Sequence, residues 1–511
     1  MKNTIAFFLL TLLLNSATVF GQARTVRTER DFTASYDSYI RNTLEKIPDI
    51  PGIAIVVISG DMPIFMRAYG MADKEAGKKA DVDTMFYIAS STKSFTALAA
   101  AMLDKEGKIK FNDPVTKYTQ RINFKTPLPD KITVRDLLTH TSGLTNDALV
   151  NRMAFTGQID KDQIAHVFTE GTTLNEAQFG KYRYTNLGYN IYGLLLENQL
   201  KLKWQDLLQK RIFDLMGLKH STAYPSLAST KKWTLAAPYI FDDQAGAVIR
   251  SVLGKTDNNM QSAGGMFMSI SDLGKWLNMN MNGGKLGGKQ IIAAEFIRFA
   301  HTGYTKTTRQ APPFSGEGEY GLGWQIGKYR TDKVIYHHGG FAGYRSHVSF
   351  MPDRKIAVGV LVNNDQAGGR AADMLATYAY DWWAGLDNIE VDYAKRLDDF
   401  ASQYTGIKQQ MIASAAERAK RQSQLTEPLA KYVGKYTNGL AGTFEITDDG
   451  KYLAVRMGSL NCRATPFTQK DTIRVVMIPG GSGEVIAFLK GADGTFDSLN
   501  YAGSVFRRIG S

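Results

Sequence analysis

Ser90 and Lys93 stand three residues apart in Tyr87-Ile88-Ala89-Ser90-Ser91-Thr92-Lys93-Ser94-Phe95. On a helix, residues at i and i+3 share a face, so the lysine amine can lie beside the serine hydroxyl. A neutral amine there takes the hydroxyl proton, and a helix N-terminus favours the negative charge that develops. This is the chemistry of an activated serine nucleophile. The same spacing recurs at Ser229-Thr230-Lys231-Lys232, so it identifies a site only in company. Tyr184-Thr185-Asn186 supplies a phenol and an amide that can project from a loop into one pocket, the phenol as general base and the amide to orient substrate and Lys93. That triplet also recurs, at Tyr436-Thr437-Asn438. A third group, His338-Gly339-Gly340-Phe341, falls on an expected strand. Paired glycines let the backbone approach a ligand closely. The N–H groups of Phe341 and Ser90 would then form an oxyanion hole, with His338 against the substrate.

These residues need elements to hold them. Residues 32–47 read as a helix, and 53–58 with 62–70 as a strand hairpin. The Ser90 segment enters a helix whose Phe95, Leu98, Ala99 and Met102 share one face. A largely helical region runs on to about residue 218 and includes an apolar helix at 187–200. A second β region starts near residue 320. Runs at 334–340, 347–352 and 356–362 read as neighbouring antiparallel strands, followed by a helix at 371–383. Strand pair, helical insert, strand triplet and helix make an α+β fold with helices covering a sheet. Residues 389–425 have the composition of a solvated helical linker. From 426 to 511 short strands alternate with turns, as in a small β-barrel-like domain. The second Tyr-Thr-Asn lies in that domain, where packing is its expected role.

The 511-residue chain has 44% hydrophobic and 22% charged residues, which suits a globular protein of more than one domain. Its first residues are Met1-Lys2-Asn3-Thr4, followed by an apolar run to Leu14 and a small, polar stretch to Ala23. Residues 1–22 thus have the layout of a cleavable signal peptide, with a run too short for a permanent span. The expected location is secreted, in the periplasm, with no stable membrane span in the mature protein. The single cysteine, Cys462, cannot close an internal disulfide. The net charge of +12 comes with no run of five basic residues and no nucleic-acid motif, so no nucleic-acid partner is expected. The seven histidines include no H-x-H or H-E-x-x-H spacing, so neither a metal nor a cofactor is expected. His337 and His338, as neighbours on a strand, face opposite ways. His140, inside Thr139-His140-Thr141-Ser142-Gly143, reads as a structural loop residue.

In this order, the three groups resemble the penicillin-recognising serine hydrolases, in particular the class C β-lactamase-like group. Asn112-Asp113-Pro114-Val115, Ser262-Ala263-Gly264-Gly265, Tyr320-Gly321-Leu322-Gly323-Trp324 and Gly343-Tyr344-Arg345 resemble further segments of that family. The resemblance spans roughly residues 30–385 and sets the hydrolase domain at 28–388. It implies a sheet lobe and an all-helical lobe with the site between them. It implies Ser90 as acylated nucleophile, Lys93 as its activating partner, Tyr184 as base or proton relay, and Asn186 as substrate-orienting. His338, with Gly339 and Gly340, stands where the lactamases carry Lys-Thr-Gly. A histidine is mostly neutral near pH 7, and esterases, D-amino-acid peptidases and some D-alanyl-D-alanine carboxypeptidases of the family resemble this form. The expected substrate is therefore a small ester, amide or peptide, with β-lactam hydrolysis or slow, non-turnover acylation as alternatives.

Overall fold

A computed structural model describes residues 28–119, 129–159, 161–307 and 312–510. The expected signal peptide lies outside them. The architecture is the expected α+β. Helix α1 (Glu29–Lys46) opens it, stopped at its N-terminus by a capping box in which Thr28 and Asp31 satisfy each other's backbone N–H groups. Then come β1 (Gly52–Ser59), β2 (Met62–Asp73) and the short β3 (Lys78–Lys79). The helical insert contributes α2 (Thr92–Lys105), α3 (Leu187–Leu200) and α4 (Ile270–Met281). The chain returns to the sheet with β4 (Thr305–Thr307), β5 (Ser315–Tyr320), β6 (Gln325–Tyr329), β7 (Asp332–Phe341), β8 (Tyr344–Met351) and β9 (Ile356–Val362). Helices α5 (Gly368–Trp383) and α6 (Ile389–Ala419) follow.

The sheet order is β4-β5-β6-β7-β8-β9-β1-β2-β3, antiparallel throughout. β1 is apolar on both faces because the sheet is covered twice. Ile53, Ile55 and Val57 face a core with α1, α5 and α6. Ala54, Val56 and Ile58 face the core of α2, α4 and the helical lobe. In the latter core the Phe95 ring stacks on Trp276, centroids 3.7 Å apart. Near the C-terminal end of β7 this second face is where the helical lobe meets the sheet.

The stretch at 389–425 differs from a solvated linker. Tyr393, Leu397, Phe400 and Tyr404 are buried at the spacing of one helix face, and they join the core with α1 and α5. A narrow stripe in a polar composition suffices to dock a long helix. The dock is reinforced by Asp381, which is 1% exposed. Its carboxylate accepts from Tyr329 OH at 2.8 Å, Tyr393 OH at 2.9 Å, and Arg330 Nε and Nη2 at 2.8 and 3.1 Å. Asp381→Ala leaves two buried phenols without an acceptor and is expected to cost about 3 kcal/mol. A lower urea midpoint measures this, and Asp381→Asn, which keeps an acceptor, should lose less.

The C-terminal strands form a second antiparallel sheet of nine, whose edge strands Leu460–Arg463 and Thr465–Pro466 are consecutive in the chain. This is a nearly closed barrel around Tyr436, Phe444, Ile446, Val455, Ile486 and Phe506. Tyr436, the tyrosine of the second Tyr-Thr-Asn, is wholly buried in it and donates its O–H to Tyr432 O at 2.9 Å. The barrel abuts the end of β7: the Phe341 ring packs against both the barrel core and the helical-lobe core, and stacks on Phe155 at 5.5 Å.

Candidate active site

Ser90 sits in a single 3-10 turn, Ala89–Ser91, between the short strand Met85–Tyr87 and α2. Ala89 has φ of 46°, a left-handed conformation that costs a residue with a Cβ. The turn holds this strain because its surroundings fix it. Ile88 N–H donates to Met266 O at 3.0 Å, and Tyr87 OH donates to Gly264 O. Ser346 Oγ, on β8, donates to Ile88 O at 2.9 Å and lies 2.9 Å from Ser91 Oγ. Ser90 is thereby set at the first turn of a helix, where N–H groups have no intrahelical acceptor.

Lys93 is wholly buried. Its Nζ lies 3.3 Å from Ser90 Oγ, 2.7 Å from Asn186 Oδ1 and 2.7 Å from Ala263 O. Among the described residues it has no carboxylate partner, and burial holds its pKa well below that of an ordinary lysine. A neutral amine has two N–H groups and one lone pair. Two carbonyl oxygens and one hydroxyl are the matching set, with the lone pair on Ser90.

Tyr184 and Asn186 come from the loop that enters α3, and Lys93 Nζ lies 4.8 Å from the centroid of the Tyr184 ring. His140 fixes this loop. It is buried, adopts φ of 63°, receives the Thr185 N–H on Nδ1 at 3.4 Å, and lies 4.5 Å from the Tyr184 ring, centroid to centroid. Burial, then the neighbouring Lys93 and His337, hold its pKa well below the usual histidine value. The sequence reading of His140 as a loop residue missed its place in the wall of Tyr184.

The structure thus brings Ser90, Lys93, Tyr184 and Asn186 together, and sets the decoy Ser229 and Lys232 on the surface at a short helix, Leu227–Lys231. It places the residues of β7 differently from the sequence expectation. Strand parity puts His337 and Gly339 on the face of the Ser90 turn, with His337 6.2 Å from the Tyr184 ring. His337 Nδ1 donates to His338 O at 2.8 Å, which leaves Nε2 as acceptor facing Tyr320 OH at 3.4 Å. His338, expected beside Ser90, points to the opposite face, where its Nε2 is 3.1 Å from Asp373 Oδ1 of α5. Phe341 is displaced too. Ala342-Gly343 is a two-residue turn, and Phe341 pairs with Tyr344 across it, which commits the Phe341 N–H to β8. The amide of Gly340 is turned the other way. β6 ends its pairing at Gln325 with Tyr336, so beyond that point this edge of β7 is open. By this register the amide that the open edge turns toward the cavity shared with Ser90 is that of Gly340.

A cavity of about 460 Å³ opens around this edge, lined by Ser90, Tyr184, His337, His338, Gly340 and Arg345 among others. It reaches round β7 to α5, where His338, His347 and Asp373 converge. The sequence signals that could have found the missed residues were present: Ala263 in Ser-Ala-Gly-Gly, and Gly343-Tyr344-Arg345 as the turn that sets strand parity.

A model of the family described as Beta-lactamase matches residues 40–380. Among curated proteins, the unguisins hydrolase ungD of Aspergillus violaceofuscus is 25% identical over 80% of this chain and 76% of its own. Protein flp of Staphylococcus aureus strain MW2 is 23% identical over 66% of this chain, which spans 64% of flp. Among solved structures, the octameric penicillin-binding protein homologue from Pyrococcus abyssi superimposes with a TM-score of 0.59 at 22% identity, covering 93% of this chain and 99% of that one. This likeness is one of fold.

Proposed function

The chain belongs to the β-lactamase family of serine hydrolases, and from that premise we propose that it is a secreted hydrolase that cleaves an ester or amide through a Ser90 acyl-enzyme. The observation that carries this is the buried, carboxylate-free Lys93 with its Nζ at 3.3 Å from Ser90 Oγ. Secretion rests on the layout of residues 1–22.

In this reading Lys93 Nζ takes the Ser90 proton as Oγ bonds to the substrate carbonyl carbon. The carbonyl oxygen, now negative, is held by the N–H groups of Ser90 and Gly340. Tyr184, in the same cavity, relays the proton to the leaving alcohol or amine as the C–O or C–N bond breaks. Water then attacks the acyl carbon, and the proton returns to Ser90. Asn186 keeps Lys93 aimed. A D-alanyl-D-alanine carboxypeptidase is the second reading, favoured by Arg345, whose guanidinium lines the cavity beside Gly340 and can meet a substrate carboxylate.

The test is to treat the protein with a fluorophosphonate or a penicillin and map the adduct by peptide mass spectrometry. One adduct on the Ser90 peptide is expected; an adduct elsewhere overturns the nucleophile. A panel of p-nitrophenyl esters, D-amino-acid amides, a D-Ala-D-Ala peptide and nitrocefin then separates the substrate classes.

A further inference from the structure

His338 and His347 are directly opposite each other on β7 and β8. Since Phe341–Tyr344 is a hydrogen-bonded pair, parity makes His338–His347 a non-hydrogen-bonded one, the kind whose side chains stand closest. Both rings lie on the α5 side of the sheet, and Asp373 on α5 comes down between them. Asp373 Oδ1 is 3.1 Å from His338 Nε2 and 2.7 Å from His347 Nδ1. The three atoms all lie within 4.8 Å of one another. We propose that His338, His347 and Asp373 bind one divalent transition-metal ion of the Zn²⁺ type, on the wall of the cavity that holds Ser90.

Two observations set this apart from a plain structural triad. First, His338 Nε2 is buried yet makes no hydrogen bond, although a carboxylate oxygen is 3.1 Å away. Its lone-pair axis misses that oxygen. Two atoms that share a proton line up on each other, whereas two that share a third centre do not. Second, His347 is held from behind. Its Nε2 is 2.7 Å from Ser349 Oγ, which is 2.6 Å from Tyr380 OH. Without an ion, His347 Nδ1 donates its proton to Asp373 at 2.7 Å. An ion that takes the place of that proton leaves the ring to carry its proton on Nε2, where Ser349 Oγ can accept it, the arrangement that orients metal-binding histidines.

The dimensions and donor set agree. Ligands about 2.1 Å from a tetrahedral ion are about 3.4 Å apart, so the three atoms need shifts of less than an ångström to about one ångström. Two imidazoles and one carboxylate suit Zn²⁺, Co²⁺ and their neighbours, not the all-oxygen preference of Mg²⁺ or Ca²⁺. Three protein ligands leave a fourth position, and here it faces the cavity. The site escapes a search of the sequence because its ligands are nine and 26 residues apart and meet only through a hairpin and a docked helix.

The experiment is a titration of the full chain, stripped with chelator, with Co²⁺, followed by its visible d–d absorption and by competition with Zn²⁺. One ion per chain is expected. His338→Gln and Asp373→Asn should each weaken binding by about 100-fold or more, and Ser349→Ala by about 10-fold. Circular dichroism checks each fold. Should a variant unfold, the Zn²⁺ X-ray absorption spectrum of the unmodified protein decides: two imidazoles and one or two oxygens support the site. No bound ion, an ion unaffected by the variants, or a shell without two imidazoles overturns it.

Discussion

Ser90→Ala and Lys93→Met are each expected to lower kcat/KM on a responsive ester by about 10⁴-fold or more, and the double variant by little further. The non-additivity is the informative part. If Lys93 acts only by taking the Ser90 proton, removing it from a chain without that hydroxyl changes nothing more. Lys93→Arg should be as inactive as Lys93→Met, since a guanidinium keeps its proton and cannot accept another. The pH dependence follows from the same geometry. Below its pKa, Lys93 is an ammonium whose third N–H points at Ser90 Oγ, 3.3 Å away, and it cannot act as a base. Above it, the lone pair takes that place. Because burial pulls this pKa well down from the ordinary lysine value, kcat/KM should rise with pH on a limb lying well below the range where exposed lysines titrate. Steady-state rates across pH, with and without the substitutions, test this. An active Lys93→Met enzyme, or a limb at ordinary lysine pH, would remove Lys93 from the role of base and leave Tyr184 with it.

Much of this site was legible in the sequence because it is local. Ser90 and Lys93 share a helix turn, and Tyr184 and Asn186 share a loop, so spacing alone brings each pair together. Chain order then chose between each motif and its decoy. What spacing could not show is which face a strand presents. His337 and His338 are neighbours, so one of them must face away from Ser90, but the choice depends on the register of β7 against β8. That register is set by Ala342-Gly343, and a one-residue slip exchanges every side chain between faces. The same parity moved the free amide from Phe341 to Gly340. Helix α6 shows a second limit. Its apolar stripe is diluted by Lys, Arg and Gln, so composition reads as solvated while periodicity reads as docked. The terminal barrel was visible as short strands between turns, but its contact with Phe341 was not, since nothing in either segment announces the other.

Parity also predicts opposite fates for the two glycines of β7. A Cβ on Gly339 would stand 2.0 Å from Ile88 O and 2.2 Å from Ser346 Oγ. The first is a backbone oxygen two residues before the nucleophile, in the turn already held at φ of 46° by Ala89. It cannot swing aside, so β7 and the Ser90 turn must part by more than an ångström. Gly339→Ala should therefore cost about 2–3 kcal/mol of stability. It should also lower kcat/KM about 100-fold or more, as displacing a nucleophile by about 1 Å does. A Cβ on Gly340 would instead meet Arg345 Nη1 at 2.2 Å, the far end of a flexible side chain on the cavity wall. Arg345 is tied at Nε, which donates to Asp365 O at 3.0 Å, but its Nη1 end can shift, so Gly340→Ala should fold within about 1 kcal/mol of the unchanged protein. Its amide stays in place, and its losses should fall on KM for carboxylate-bearing substrates that rely on Arg345. Urea midpoints and separate kcat and KM values for the two variants distinguish these outcomes. Equal damage from both would mean that the glycines serve only strand flexibility. Damage confined to Gly339→Ala would tie the Ser90 turn to the face of β7 that His337 shares.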